Sequence, residues 1–213
     1  MPGLELECQV RSPGCRVIAG VDEAGRGPLA GPVVASAVIL PPDLSGAEPW
    51  LQLINDSKLL SALQRERALE VVLRHAVAVG VGQQSPEQID QLGIVPATIA
   101  AMFQAVSALS AAPDHLLMDF VPIKTCSWPY QTVVRGDSLS YSIAAASIVA
   151  KVTRDRLMEQ ADPVYPGYSF ARNKGYPTAE HVRQLQALGP CSIHRRSFAP
   201  VRACFNNRTS YLV

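Results

Sequence analysis

Cysteine is scarce, and the five present (Cys8, Cys15, Cys126, Cys191 and Cys204) are spread over 213 residues. The number is odd and no pair has C-x-x-C spacing, which speaks against a disulfide framework or a zinc site and predicts reduced thiols. The four histidines, His75, His115, His181 and His194, are scattered and form no H-E-x-x-H pattern. No apolar run approaches the about 20 residues needed to span a bilayer. The most apolar stretches are 33–40 and 143–150. Residues 1–10 carry Glu5 and Glu7 and lack the apolar run that export requires. A cytoplasmic location is therefore expected. Charge is sparse, at 17% of residues, yet 48% are hydrophobic and mean hydropathy is +0.12. That balance excludes a disordered chain and is enough for the core of one domain, or one domain with a small appendage. There is no internal repeat and no low-complexity linker.

The net charge of +1 hides an asymmetry. Residues 1–150 hold 9 Lys/Arg against 14 Asp/Glu, whereas residues 151–213 hold 10 against 4. An acidic body with a basic tail suits a carboxylate centre beside a surface for a polyanion, although clustering on solvated faces gives the same count. From 165 onward there are 7 basic residues and one acid, Glu180. That segment is expected to supply affinity for nucleic acid through Arg195 and Arg196.

Hydrophobic patterning predicts strands at 16–22 and 33–40, joined by a Gly/Pro-rich turn that favours an antiparallel hairpin. A helix is predicted over 61–76, N-capped by Ser61, with Leu63, Leu69, Val72 and Leu73 mostly on one face. Strands follow at 77–81, 115–119 and 131–134. Helices follow at 85 onward, 95–109, 141–159 and 178–188. Mixed strands and helices predict an α/β fold, with a mixed sheet flanked by helices and a small C-terminal subdomain.

Acids recur at strand ends: Asp22 and Glu23, then Asp119, then Asp137. Any one of them could simply end a strand. A set that converges would form an oxygen cage for Mg2+ or Mn2+, which prefer such ligands. The segment Gly25-Arg26-Gly27-Pro28-Leu29-Ala30-Gly31 is a poor dinucleotide fingerprint, because its third glycine is one residue late and a β-type run follows. It reads either as a plain hairpin turn or as a tight loop whose bare backbone can approach a ligand, with Arg26 in reach of phosphate.

Six stretches, in this order, resemble the bacterial type 2 ribonuclease H family, the ribonuclease HII enzymes. They are Val21-Asp22-Glu23-Ala24-Gly25-Arg26-Gly27-Pro28, Asp56-Ser57-Lys58, Gly136-Asp137, residues 142–151, Lys174-Gly175-Tyr176-Pro177-Thr178 and His194-Arg195-Arg196-Ser197-Phe198. The resemblance runs from about 17 to 201. It implies a ribonuclease H-like fold, a five-stranded mixed sheet flanked by helices with a C-terminal helical extension. It divides the chain into an N-terminal extension (1–15), a catalytic domain (16–163) and a basic substrate-binding subdomain (164–213). It implies Asp22, Glu23, Asp119 and Asp137 as the metal-binding and catalytic acids, holding two Mg2+ or Mn2+ ions with substrate. Gly25, Arg26 and Gly27 would sense the 2′-OH at an RNA–DNA junction, and Tyr176 would stack on the following deoxyribose. Lys58, His194 and Arg195 would contact phosphate. The implied reaction is hydrolysis of RNA in RNA–DNA hybrids and 5′ of a ribonucleotide embedded in DNA, by a monomer, with any replication or repair partner unspecified. Departures from the family pattern are Phe120 and Gly93, where many members have Gly and Asn, and a slightly long loop over 41–52.

Two neighbouring readings compete. Ribonuclease HIII members typically carry an extra N-terminal domain, for which a first strand near Arg16 leaves no room. A non-catalytic hybrid-binding protein would be expected to lack one of the four acids. The fourth acid itself has two candidates, Asp137 and Asp155. Asp155 lies 14 residues into the predicted helix, about 21 Å along its axis, so it is expected in a surface ion pair with its flanking arginines if that helix starts at the catalytic end.

Overall fold

The computed structural model describes residues 1–119, 121 and 123–209. The Phe120 departure therefore lies outside the described residues. Helix α1 (Glu5–Val10) precedes β1 (Ile18–Ala24), β2 (Val33–Ile39), α2 (Ala62–His75), β3 (Ala78–Gln84), α3 (Pro86–Leu92) and α4 (Ile94–Ser107). Strands β4 (His115–Asp119) and β5 (Tyr130–Val133) follow, then α5 (Tyr141–Ala161), α6 (Phe170–Asn173), α7 (Ala179–Leu188) and α8 (Ala199–Thr209). The five strands form one sheet in the order β3-β2-β1-β4-β5. Strand β2 runs antiparallel to both β3 and β1, while β4 and β5 run parallel to β1. This is the five-stranded mixed sheet that the resemblance implies.

The side-chain pattern explains the layers. All seven residues of β2 are buried, because both faces of this inner strand are covered. On one face Ala19, Val21, Ala35 and Ala37 pack against Ala97, Ala101 and Met102 of α4. On the other, Val38 meets α2 and α5 through Leu69, Val72, Ala145 and Ile148. Close packing needs small residues: a methyl at Gly20 would collide with the backbone of Ser142 and Ile143, so Gly20 lets the start of α5 lie directly on β1.

Helix α2 begins as expected, with Ser61 and Gln64 forming a reciprocal capping box. Its buried face differs from the expected one. Ala68, Leu69 and Val72 are buried, whereas Leu63 and Leu73 are exposed. At 100° per residue, Leu63 lies nearly opposite the Leu69–Val72 stripe and Leu73 at its edge. Gly93 ends α3 with φ +83°, a conformation glycine adopts freely. Helices α1, α6 and α8 have no counterpart in the sequence pattern. Among the described residues no helix is long and apolar enough to cross a membrane.

Candidate active site

The sheet register builds the acidic centre. Strands β1 and β4 are parallel neighbours with Val21 opposite Met118, so the next residues, Asp22 and Asp119, stand side by side at the strand ends. Asp137 arrives from the 3-10 turn Gly136–Ser138 between β5 and α5. The Gly136 N–H donates to Asp119 Oδ1 at 3.0 Å, which ties that turn to β4. Carboxylate oxygens of Asp22, Asp119 and Asp137 lie within 4.8 Å of one another, and Asp22 and Asp137 are buried. Glu23, next along β1, lies outside this trio. Its Oε1 accepts from Arg26 Nη1 at 3.3 Å, and its Oε2 is buried with no partner among the described residues.

Such crowding is unfavourable for free carboxylates. Burial, then the charges of Glu23 and Asp119, raise the Asp22 pKa well above the ordinary carboxyl value, against hydrogen bonds from Ser147 and the Glu23 N–H. Burial also raises Glu23, opposed by Arg26. Lys58 Nζ donates to Asp137 Oδ2 at 2.9 Å. Partial burial would lower the Lys58 pKa, but Asp137, Asp22 and Asp56 outweigh it and raise it.

Beside the acids, residues 25–32 cross from β1 to β2, with φ +97° at Gly25 and +83° at Gly31. The loop is held from below. Arg195 donates to the carbonyls of Gly31 (2.9 Å), Arg26 (3.1 Å), Gly25 (2.6 Å) and Pro32 (3.1 Å). Arg154 donates to Pro32 (2.9 Å), Ala30 (3.1 Å) and Lys174 (3.0 Å). The loop turns the carbonyls of Gly25, Arg26 and Gly31 inward to Arg195, and among the described residues the N–H groups of Gly25, Arg26 and Gly27 make no hydrogen bond. The Tyr176 ring, 39% exposed, faces Gly27, with Lys151 Nζ and the Arg154 guanidinium 5.8 and 5.7 Å from its centroid.

The sequence profile described as Ribonuclease HII matches residues 19–201. This chain belongs to the ribonuclease HII family. A Ribonuclease HII of Geotalea uraniireducens is 52% identical over 199 residues, which cover 93% of this chain and 90% of that one. Ribonuclease H2 from Pyrococcus horikoshii matches with a TM-score of 0.73 and 25% identity over 90% of this chain and 98% of that one. Bst-RNase HIII in complex with Mn2+ gives a TM-score of 0.67 at 18% identity over 92% and 71%, a likeness of fold. The chain is thus a metal-dependent nuclease, a hydrolase whose family cleaves RNA in RNA–DNA hybrids.

The donor set fits a hard divalent cation. Three carboxylates converge, and the unpartnered Glu23 Oε2 is an oxygen ligand in waiting beside them. The linkage with pH follows from Asp22. Its folded pKa is raised above its unfolded value, so its contribution to stability is full below about pH 4 and is lost as pH rises through the folded pKa. In chelator the melting temperature of the parent, taken relative to Asp22→Asn, is expected to fall as pH rises across that window; the difference separates Asp22 from His181 and His194, whose lowered pKa values act the other way. Saturating Mn2+ should reverse the trend by binding the ionised acids. A metal-free difference that climbs with pH there would contradict the raised Asp22 pKa.

Two of the residues expected at phosphate are instead internal. Arg195 is 0% exposed, and each of its nitrogens is engaged by the loop carbonyls. His194 is 1% exposed and belongs to a chain of hydrogen bonds. The Cys191 N–H donates to His194 Nδ1 (3.0 Å), so the proton of His194 is on Nε2 and donates to His181 Nε2 (3.1 Å). His181 Nδ1–H then donates to the Tyr176 carbonyl at 2.8 Å. Burial pushes both imidazoles down, His194 to about 4, helped by its neighbour His181, so the pair is neutral at pH 7. Of the two arginines expected to bind nucleic acid, only Arg196 reaches solvent, with its guanidinium 5.5 Å from the Phe205 ring centroid. Sequence reasoning put Arg154 in a surface ion pair with Asp155 and missed this role; among Lys151, Asp155, Arg156 and Glu159 nothing local marks it.

Proposed function

We propose that the chain cuts the phosphodiester on the 5′ side of a ribonucleotide embedded in duplex DNA, besides RNA strands paired with DNA, leaving 3′-OH and 5′-phosphate ends. The observation that carries this reading is the convergence of three carboxylates beside a loop whose Gly25, Arg26 and Gly27 N–H groups have no partner among the described residues. Asp22, Glu23, Asp119 and Asp137 hold two Mg2+ or Mn2+ ions. When bound, such ions neutralise charge on the phosphoryl group and on the attacking and leaving oxygens.

The remaining work falls to the chain's own groups. The unpaired N–H donors at Gly25, Arg26 and Gly27 suit a 2′-hydroxyl, the one group that separates RNA from DNA at a site. At Gly27 no side chain bars a close approach, whereas the bare backbone of Gly25 makes room for Arg154 beneath the loop. Arg26, paired with Glu23, and the largely exposed Lys58, paired with Asp137, are the cations next to the acids that would meet phosphate oxygens. Tyr176, packed beside Gly27 and 39% exposed, offers its ring to the next sugar.

The test uses two labelled substrates, a DNA duplex with one ribonucleotide and a continuous RNA–DNA hybrid. Both are expected to be cut in Mg2+ or Mn2+ and left whole in chelator. Tyr176→Ala should lower cleavage at the lone ribonucleotide several-fold more than in the hybrid. Turnover that persists in chelator would remove the metal reading, and equal losses on both substrates would reduce Tyr176 to a packing residue.

A further inference from the structure

The segment before the sheet grips the element that carries Asp137. Helix α1 supplies Glu7, which is 4% exposed. Its Oε1 accepts three hydrogen bonds, from Ser140 Oγ (2.6 Å), Ser142 Oγ (2.5 Å) and the Ser142 N–H (3.0 Å). The backbone adds two more ties: the Gly3 N–H donates to Leu139 O and the Tyr141 N–H to Gly3 O, both at 3.0 Å. Leu6 and Val10 pack on Ile18, Leu117, Val133 and Ile143, so the segment is seated on the sheet as well as on α5.

The gripped residues, 139–142, follow directly on the turn that holds Asp137. The Ser140 N–H donates to Gly136 O at 2.9 Å, and the Gly136 N–H donates to Asp119 Oδ1 at 3.0 Å. One hydrogen-bonded turn thus connects Glu7 to two acids of the site. A buried carboxylate is not required merely to start α5. Ser140 already caps that helix by accepting from the Ile143 N–H at 3.2 Å. Burying a charge is costly, and Glu7 keeps one oxygen, Oε2, without a partner among the described residues. What the charge adds is short, strong hydrogen bonds from three donors at one point, which fix backbone position more tightly than neutral ones.

We propose that Glu7 is a positioning residue for Asp137, holding the start of α5 so that the Asp137 carboxylate stays in reach of Asp22, Asp119 and a shared divalent cation. This rests on the reading of Asp137 as a metal-binding acid. Groups that orient metal ligands from behind typically change affinity about 10- to 100-fold when removed.

The experiment measures Mn2+ binding to the full chain by calorimetry without substrate, alongside melting temperature and KM. Glu7→Ala is expected to raise the Mn2+ dissociation constant about tenfold with KM for the duplex unchanged. Glu7→Gln keeps an acceptor at the same reach but loses the charge, and should recover only part of that loss. A folded Glu7→Ala protein with parental Mn2+ affinity overturns the proposal, whatever its melting temperature. If Glu7→Ala does not fold, Ser142→Ala, which removes one of the three donors, takes its place, and parental affinity there overturns the proposal equally. Asp137→Asn is the control. Parental affinity in Asp137→Asn shows that the underlying reading is wrong, whereas lost affinity there with parental Glu7→Ala shows that the positioning role alone is wrong.

Discussion

Asp137→Asn is expected to lower turnover in Mg2+ by about a hundred-fold or more, while the metal-free protein melts no lower than the parent. Asparagine keeps the size of the side chain but removes one negative charge from a crowded centre. The Lys58 ammonium that faces Asp137 is 72% exposed, so losing that pair costs little stability. Relief of repulsion on Asp22 and Asp119 acts in the opposite direction, and groups that serve a site often destabilise the fold around them. Asp155→Asn should give the reverse result. Asp155 pairs with Lys151 (2.6 Å) and Arg65 (3.9 Å), not with the flanking arginines, and all three side chains are largely buried. Burial lowers the Lys151 pKa, and Asp155 is the charge that opposes this. Removing it should cost about 1–3 kcal/mol of stability and leave most of the turnover. The two mutants, each measured for melting temperature and for rate, form a double dissociation. An inactive Asp155→Asn beside a near-normal Asp137→Asn would overturn the assignment of the acids.

Arg195→Met should damage stability and substrate handling together. The mutation strips donors from the carbonyls of Gly25, Arg26, Gly31 and Pro32 at once. Breaking such a buried charge network typically costs about 3–5 kcal/mol, which for a chain of this length lowers the melting temperature by roughly 6–20 °C. Burial and the facing Arg154 push the Arg195 pKa down to about 9, so the group is still charged at neutral pH. The methyl thioether fills the volume but leaves the carbonyls of Gly25, Arg26 and Gly31 without this donor, while Pro32 keeps Arg154, and the loop's unpaired N–H groups lose their fixed position. KM for the single-ribonucleotide duplex should rise. Arg195→Lys should not rescue, because one ammonium cannot fork to four carbonyls. Parental melting and KM in Arg195→Met would mean that the loop holds its shape unaided.

The fold was legible where pattern and chemistry coincide. The apolar run at 33–40 became a strand buried on both faces, and Ser61 became a cap, because both follow from local rules. The strand-end acids were visible as residues, but their convergence depends on the parallel register of β1 with β4, which sequence spacing does not contain. Basic residues misled for a physical reason. An arginine is usually solvated, and nothing local in His194-Arg195-Arg196 separates the inward Arg195 from the outward Arg196. Their opposite fates are set by loop carbonyls more than 160 residues away in the chain. Glu7 was hidden likewise: a six-residue helix whose apolar face is only Leu6 and Val10 is too short for a periodic signal, and its role exists only against Ser140 and Ser142.

The clamp of Arg195 on the first loop also sets an order of events during synthesis. Residues 25–32 leave the ribosome early, but the guanidinium that fixes their carbonyls lies 163 to 170 positions downstream of the residues it binds. At about 5–20 residues per second, that is a delay of roughly 8–34 s. A nascent chain cut short after Asp155 would already hold all four strand-end acids and a complete sheet. It would lack the part that aims the loop. Full activity therefore arrives late in translation, once the C-terminal segment that carries Arg195 has closed on the first loop.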